Sequence, residues 1–136
     1  MRKDILSIIE KVGCIIQPNL LDEQSENIIS FSKNIQGKDF TFFLIYAKED
    51  EMLIINLMHT YNSQYEKMGV DFYEVINKLN ETCIHGYLGF VSGGKTQIVY
   101  KTSYIGDSNM LAGNNSFEYF FLVSFDMAHY FHSKLN

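Results

Sequence analysis

The sharpest chemical pattern in the chain is Gly89-Phe90-Val91-Ser92-Gly93-Gly94-Lys95-Thr96, which satisfies G-x-x-x-x-G-K-[ST], the phosphate-cradling loop of nucleotide-binding folds. That loop works by aiming backbone N–H groups at phosphates from the start of a helix, whose dipole adds to the attraction. A helix must therefore follow Thr96. Instead Thr96, Ile98, Tyr100, Thr102 and Tyr104 alternate with Gln97, Lys101 and Ser103, a strand signal, and Gly93-Gly94 suits a tight hairpin. The companion feature, an apolar strand ending in a magnesium-holding acid, finds only Phe121 to Asp126, broken by Ser124. The residues favour a hairpin turn over a nucleotide site.

Asp126, His129 and His132 recur every third residue, so on a helix they drift around the axis by about 60° per step. Two histidines that share a metal on a helix prefer i, i+4. Near a helix C-terminus these imidazoles find a simpler role, as imidazolium facing the negative end of the dipole. His59 and His85 are isolated in sequence and read as strand-end residues. Cys14 and Cys83 stand far apart without CxxC spacing, which points to buried thiols rather than a disulfide or metal site. No serine lies in G-x-S-x-G, neither cysteine has a basic neighbour, and the carboxylates cluster in turns. The expectation is a chain with no catalytic residue, no metal and no cofactor. The tyrosines Tyr61, Tyr65 and Tyr73 suit either a groove lining or ordinary loop packing.

The elements that must position these groups follow from periodicity. Ile5, Ile8, Ile9 and Val12 share one helix face, and Gly13 ends that helix. From Gln17 to Asn27 the chain is polar and holds the only proline, Pro18, which reads as a connector. Three strand signals follow: Ile29 and Phe31 between serines, Phe40 to Ala47, and Met52 to His59, separated by Gly37 and by the charged turn Lys48-Glu49-Asp50-Glu51. Connections this short make them antiparallel neighbours. Asp71 and Glu74 hold capping-box spacing before a helix with Phe72, Val75, Ile76 and Leu79 on one face. Gly86 to Val91 and Thr96 to Tyr104 form a second hairpin, and after a loop from Gly106 to Asn114 comes a last helix. It opens on Asn115 and Glu118 and aligns Phe117, Phe120, Phe121, Ser124, Ala128 and Phe131, although Tyr119 to Phe125 alone also fits a strand. The expected order is α-β-β-β-α-β-β-α, an α+β fold of helices packed on an antiparallel sheet, in one domain spanning residues 1–136.

One property exceeds what such a fold needs. Phe40, Phe42, Leu44 and Tyr46 take one face of the second strand, yet Phe43, Ile45 and Ala47 take the other. In the third strand Leu53, Ile55 and Leu57 oppose Met52, Ile54 and Met58. A sheet with helices on one side normally turns polar residues to the open side. Either the helices cover both faces, or a second copy or a partner segment covers one. Phe43, Ile45, Met52, Ile54 and Met58 are accordingly the candidate partner-binding residues, the methionines adapting to varied surfaces.

Composition bounds the partner. A net charge of −5 argues against phosphate backbones and anionic lipid, so neither nucleic acid nor membrane is expected. The N-terminal stretch is broken by Asp4, Glu10 and Lys11, unlike a signal peptide, and no run reaches the roughly 18 apolar residues of a membrane span. A cytoplasmic protein with a protein partner is the expectation.

The helix-then-hairpin stretch carries a family resemblance. Val75-Ile76-Asn77-Lys78-Leu79-Asn80, then Ile84-His85-Gly86-Tyr87-Leu88-Gly89-Phe90, a glycine turn and Gln97-Ile98-Val99-Tyr100-Lys101, resembles the core of the YbjN-like domains, described as sensory transduction regulators. Those domains share their fold with the class I chaperones of type III secretion, and in element order the resemblance runs from Asp4 to the last helix. It implies a small acidic homodimer without a catalytic centre that holds an extended segment of an effector or regulator against apolar patches. Asn77 and Asn80 match the family's pattern, and both read as structural because asparagine readily bonds nearby backbone. The competing reading is a small-molecule or nucleotide-binding protein, or an enzyme, whose site only the fold assembles.

Overall fold

The computed structural model describes residues 1–17, 27–61, 70–92, 96–111 and 115–135, without the side chains of 70–72, 91, 92, 96 and 110. The elements are α1 (Arg2–Lys11), β1 (Ile15–Gln17), β2 (Ile28–Ile35), β3 (Lys38–Glu49), β4 (Met52–Tyr61), α2 (Val70–Glu81), β5 (Tyr87–Ser92), β6 (Thr96–Asp107) and α3 (Ser116–Leu135), with a 3₁₀ turn at Ser108–Met110. Six antiparallel strands lie in the order β1-β2-β3-β4-β6-β5. This is the expected α+β architecture with one strand more.

The additional strand is β1, at the start of the stretch that reads as a connector. Three residues are too few to show a period of two, and what places them is the end of α1. There Gly13, at φ 87°, donates to the Glu10 carbonyl at 3.0 Å and Cys14 N–H reaches the Ile9 carbonyl at 3.1 Å. This left-handed glycine cap turns the chain back along β2, where Ile15 to Gln17 pair with Ser32 to Ser30. The β2–β3 hairpin closes through Gln36-Gly37, both at positive φ (52° and 87°), the two-residue turn whose twist matches the strands. Residues 93–95 of the Gly-Gly turn lie outside the described residues; the strands they join pair up to Ser92 opposite Thr96.

Packing is decided by one aromatic layer. Ile29 and Phe31 of β2, Phe40, Phe42 and Leu44 of β3, Leu53, Ile55 and Leu57 of β4, and Ile98 and Tyr100 of β6 are all buried on one face. On them α3 lays Phe121 against Phe31 at 6.2 Å between ring centres, Phe125 against Phe42 at 5.1 Å and Phe131 against Tyr100 at 5.7 Å. Tyr119 to Phe125 is thus helical. The buried isoleucines of α1, Ile5, Ile8 and Ile9, join the same core, while α2 adds Ile76. Among the described residues, the side chains that α1, α2 and α3 bury all join the core on this one face.

Polar contacts fix the helices in place. Tyr61 donates to the Ala128 carbonyl at 2.6 Å, and Lys11 of α1 meets Glu118 of α3 at 2.7 Å. The Glu118 carboxylate therefore serves an inter-helix contact rather than only the capping box its spacing suggests. The Asp71 cap falls on a side chain outside the description. Asn80 clamps α2 to β5 from both ends: its amide donates to the Leu88 carbonyl at 3.0 Å, and its oxygen accepts from Leu88 N–H at 2.7 Å. Asn77 is exposed. Asn80→Ala strands both groups of the buried Leu88 and should lower the unfolding free energy by about 1–3 kcal/mol in urea titration, against under about 0.5 kcal/mol for Asn77→Ala. Equal effects would refute the clamp.

Candidate functional site

On the sheet face opposite the helices, among the described residues, apolar, polar and charged residues converge. Strand register brings directly opposed residues to the same face, about 5 Å apart. Ala47, Ile54 and Ile105 form one row across β3, β4 and β6, and Glu49, Met52 and Asp107 form the row beyond it. In the other direction Ile28, Ile45, Asn56 and Ser103 form a row, with Ser103 donating to the Asn56 side chain at 2.7 Å, and then Ser30, Phe43, Met58, Lys101 and Tyr87. The structure brings all five candidate residues, Phe43, Ile45, Met52, Ile54 and Met58, onto this one face. Phe43 is 40%, Ile45 37%, Met52 42% and Ile105 67% exposed. Ile105 belongs to this surface, but its alternation with Tyr104 and Gly106 near the end of a strand gave no sign of it.

A cleft of about 250 Å³, which Phe43 of the open face also lines, opens beyond the Phe43–Met58 pair. Lys38, Asp39, Thr41, His59, Thr60 and His132 are among its walls. His59 donates through Nδ1 to the Thr41 carbonyl at 2.8 Å, and its ring packs 4.9 Å from Phe40 and 4.6 Å from Tyr61. Lys38 Nζ lies 3.0 Å from His132 Nε2 and 3.4 Å from its Nδ1. Burial, then Lys38, then His129 hold the His132 pKa below its ordinary value. Burial also lowers that of His59, with the charges of His132 and Lys38 adding to it against the Thr41 bond. Asp126 is exposed, and among the described residues no three His, Cys, Asp or Glu side chains converge as a metal would require.

Three dispersed residues meet beneath α3. His85 Nε2 lies 2.8 Å from Thr102 Oγ1 and 3.1 Å from Ser124 Oγ, and Tyr100 donates to the His85 carbonyl at 2.7 Å. A serine beside a histidine suggests a nucleophile and its base. Here Ser124 is fully buried and donates its proton to the Phe120 carbonyl at 2.6 Å, so the group is a structural lock. Sequence separation hid it. The thiols are equally inert. Burial pushes Cys14 up to about 11 despite Lys33, and Cys83, also raised by burial, donates to the His85 and Gly86 carbonyls at 3.2 Å. Tyr61 is buried, Tyr73 packs its ring on Phe90, and Tyr65 lies outside the described residues. The phosphate-loop pattern runs through β5 into β6, so a strand follows Thr96 where the loop needs a helix.

No family model, curated protein or solved structure matches the chain. No helix among the described residues is long and apolar enough to cross a membrane.

The histidines make stability depend on pH. Their folded pKa values lie below the ordinary 6.5, so the unfolded chain binds more protons below that pH. The contribution is complete above 6.5 and is lost as the pH falls from there through the lower folded pKa values. Melting temperature should therefore drop on acidification below 6.5, and His59→Gln should flatten that drop; an unchanged profile in the variant would show that His59 titrates normally.

Proposed function

We propose that the chain is a non-enzymatic protein-binding module that holds an extended partner segment on its helix-free sheet face, through Phe43, Ile45, Met52, Ile54 and Met58. The observation that supports this reading is the one-sided packing, which among the described residues leaves Phe43, Ile45, Met52 and Ile105 exposed on the face opposite the helices. A face of this kind favours an apolar occupant, since each buried side chain of it adds about 1.5–3 kcal/mol. An extended segment is the form that gives alternate side chains to a pleated surface. The resemblance to the YbjN-like domains and the secretion chaperones supports the same conclusion. On this reading the protein acts in the cytoplasm as a homodimer, without metal or cofactor, on an effector or a regulator.

The second reading, a small-molecule or nucleotide site, has the cleft beside His59 in its favour. Millimolar ATP with magnesium should leave the melting temperature unchanged, whereas a rise would support nucleotide binding through linkage.

The decisive test compares wild-type protein with Ile54→Asp in affinity capture from native cells, with a high-salt wash. Ile54 is half-buried on the open face, so the variant should keep its circular dichroism and melting curve. Wild type should retain one dominant protein, shielded from protease along a short segment, and the variant should lose it. Retention by both would refute the face as the site, and a monomeric mass in light scattering would refute the homodimer.

A further inference from the structure

The helix-free face is electrically lopsided. At one end Glu49 and Asp107 flank Met52 from the two neighbouring strands, which sets their Cα atoms about 10 Å apart with a thioether between them. The turn adds Asp50 and Glu51. Its one lysine, Lys48, pairs with the buried Leu53, so it belongs to the opposite, helix-covered face. Among the described residues none of these four carboxylates makes an ion pair, although Asp107 accepts from Asn109 N–H at 2.8 Å. At the other end stands Lys101, in the row of Phe43, Met58 and Tyr87, six residues along β6 and so about 20 Å from Asp107. Between the two ends run Ile45, Ala47, Ile54 and Ile105, with the hydrogen-bonded Asn56 and Ser103 beside Ile45.

From this arrangement we infer that the occupant is a segment of another protein with alternating apolar residues and one or two basic residues at one end, that end lying over Glu49, Met52 and Asp107. The inference rests on the function proposed above and adds the chemistry and direction of the partner. The apolar rows take side chains at every second position, as the pleat dictates. The carboxylates then discriminate. An acidic end placed over them meets like charge, and a basic end meets charge-assisted hydrogen bonds, with Lys101 favouring an acidic or neutral far end. Charge fixes the orientation that apolar contacts alone leave undetermined.

A phage library of random 12-residue peptides panned on the full chain tests this. Wild-type protein should enrich alternating apolar residues with lysine or arginine at one end. A synthetic peptide of that consensus should bind Glu49→Gln/Asp107→Asn about fivefold more weakly, as two exposed ion pairs contribute. Its affinity for wild type should also fall with added salt. Both substitutions are on exposed side chains, and Asn at 107 keeps an acceptor for Asn109. A consensus without basic residues, or equal affinity for the double variant, overturns the charged-end inference while leaving the binding face intact. No enrichment over the Ile54→Asp variant overturns the face itself. A dimer in sedimentation that Ile54→Asp converts to monomer overturns the inference in favour of a second copy as occupant.

Discussion

The phenylalanine layer between α3 and the sheet is the contact on which the rest of the molecule depends. Phe117, Phe121, Phe125 and Phe131 are at most 3% exposed, and their sheet partners Phe31, Phe42 and Tyr100 are completely buried. Rings set edge-on or tilted at 5 to 6 Å interlock, and fixed rotamers of such large groups leave little freedom for the helix to slide or turn. Tyr61 pins the same helix at Ala128, and Lys11 with Glu118 carries its position to α1. Helix α2 is held from further away, through Ile76 in the core and the two bonds of Asn80 to β5.

Because this layer gathers the helices on one side, the chemistry of the other side is freed from packing duty. The open face keeps an apolar middle, an acidic end and a lysine end, in a register that antiparallel pairing fixes to the residue. Side chains standing on a six-stranded sheet lose little further entropy when covered. The polar groups beneath α3, by contrast, are consumed by structure: His85, Thr102, Ser124 and Tyr100 satisfy one another.

The sequence made much of this legible and left the rest dark for identifiable reasons. Alternation in β3, β4 and β6 exposed both the strands and the two-faced apolar character, because period two survives over ten or more residues. It did not say which face the helices take, since both rows of β3 are equally apolar and the choice depends on the hand of connections between distant elements. Helix α3 was ambiguous over Tyr119 to Phe125 because Tyr119, Leu122 and Val123 make its outer side apolar as well. Three-residue β1 lacked a period altogether. The five candidate residues were legible individually, whereas Ile105, Glu49 and Asp107 joined them only through register. The contact between Lys38 and His132 was not legible because 94 residues separate them.

Strand lengths carry a last consequence. β5 ends at Tyr87 opposite Lys101, but β6 continues to Asp107, and among the described residues nothing pairs with that overhang on its outer side. Six residues of bare backbone there form an open margin of the kind through which crowded proteins stitch together into aggregates. Gly106 weakens strand propensity within the overhang, and Lys101 and Asp107 bracket it with opposite charges, so a stray strand must bury or match a charge at each end. The same aspartate that marks the face thus also sets a charge at the end of this margin.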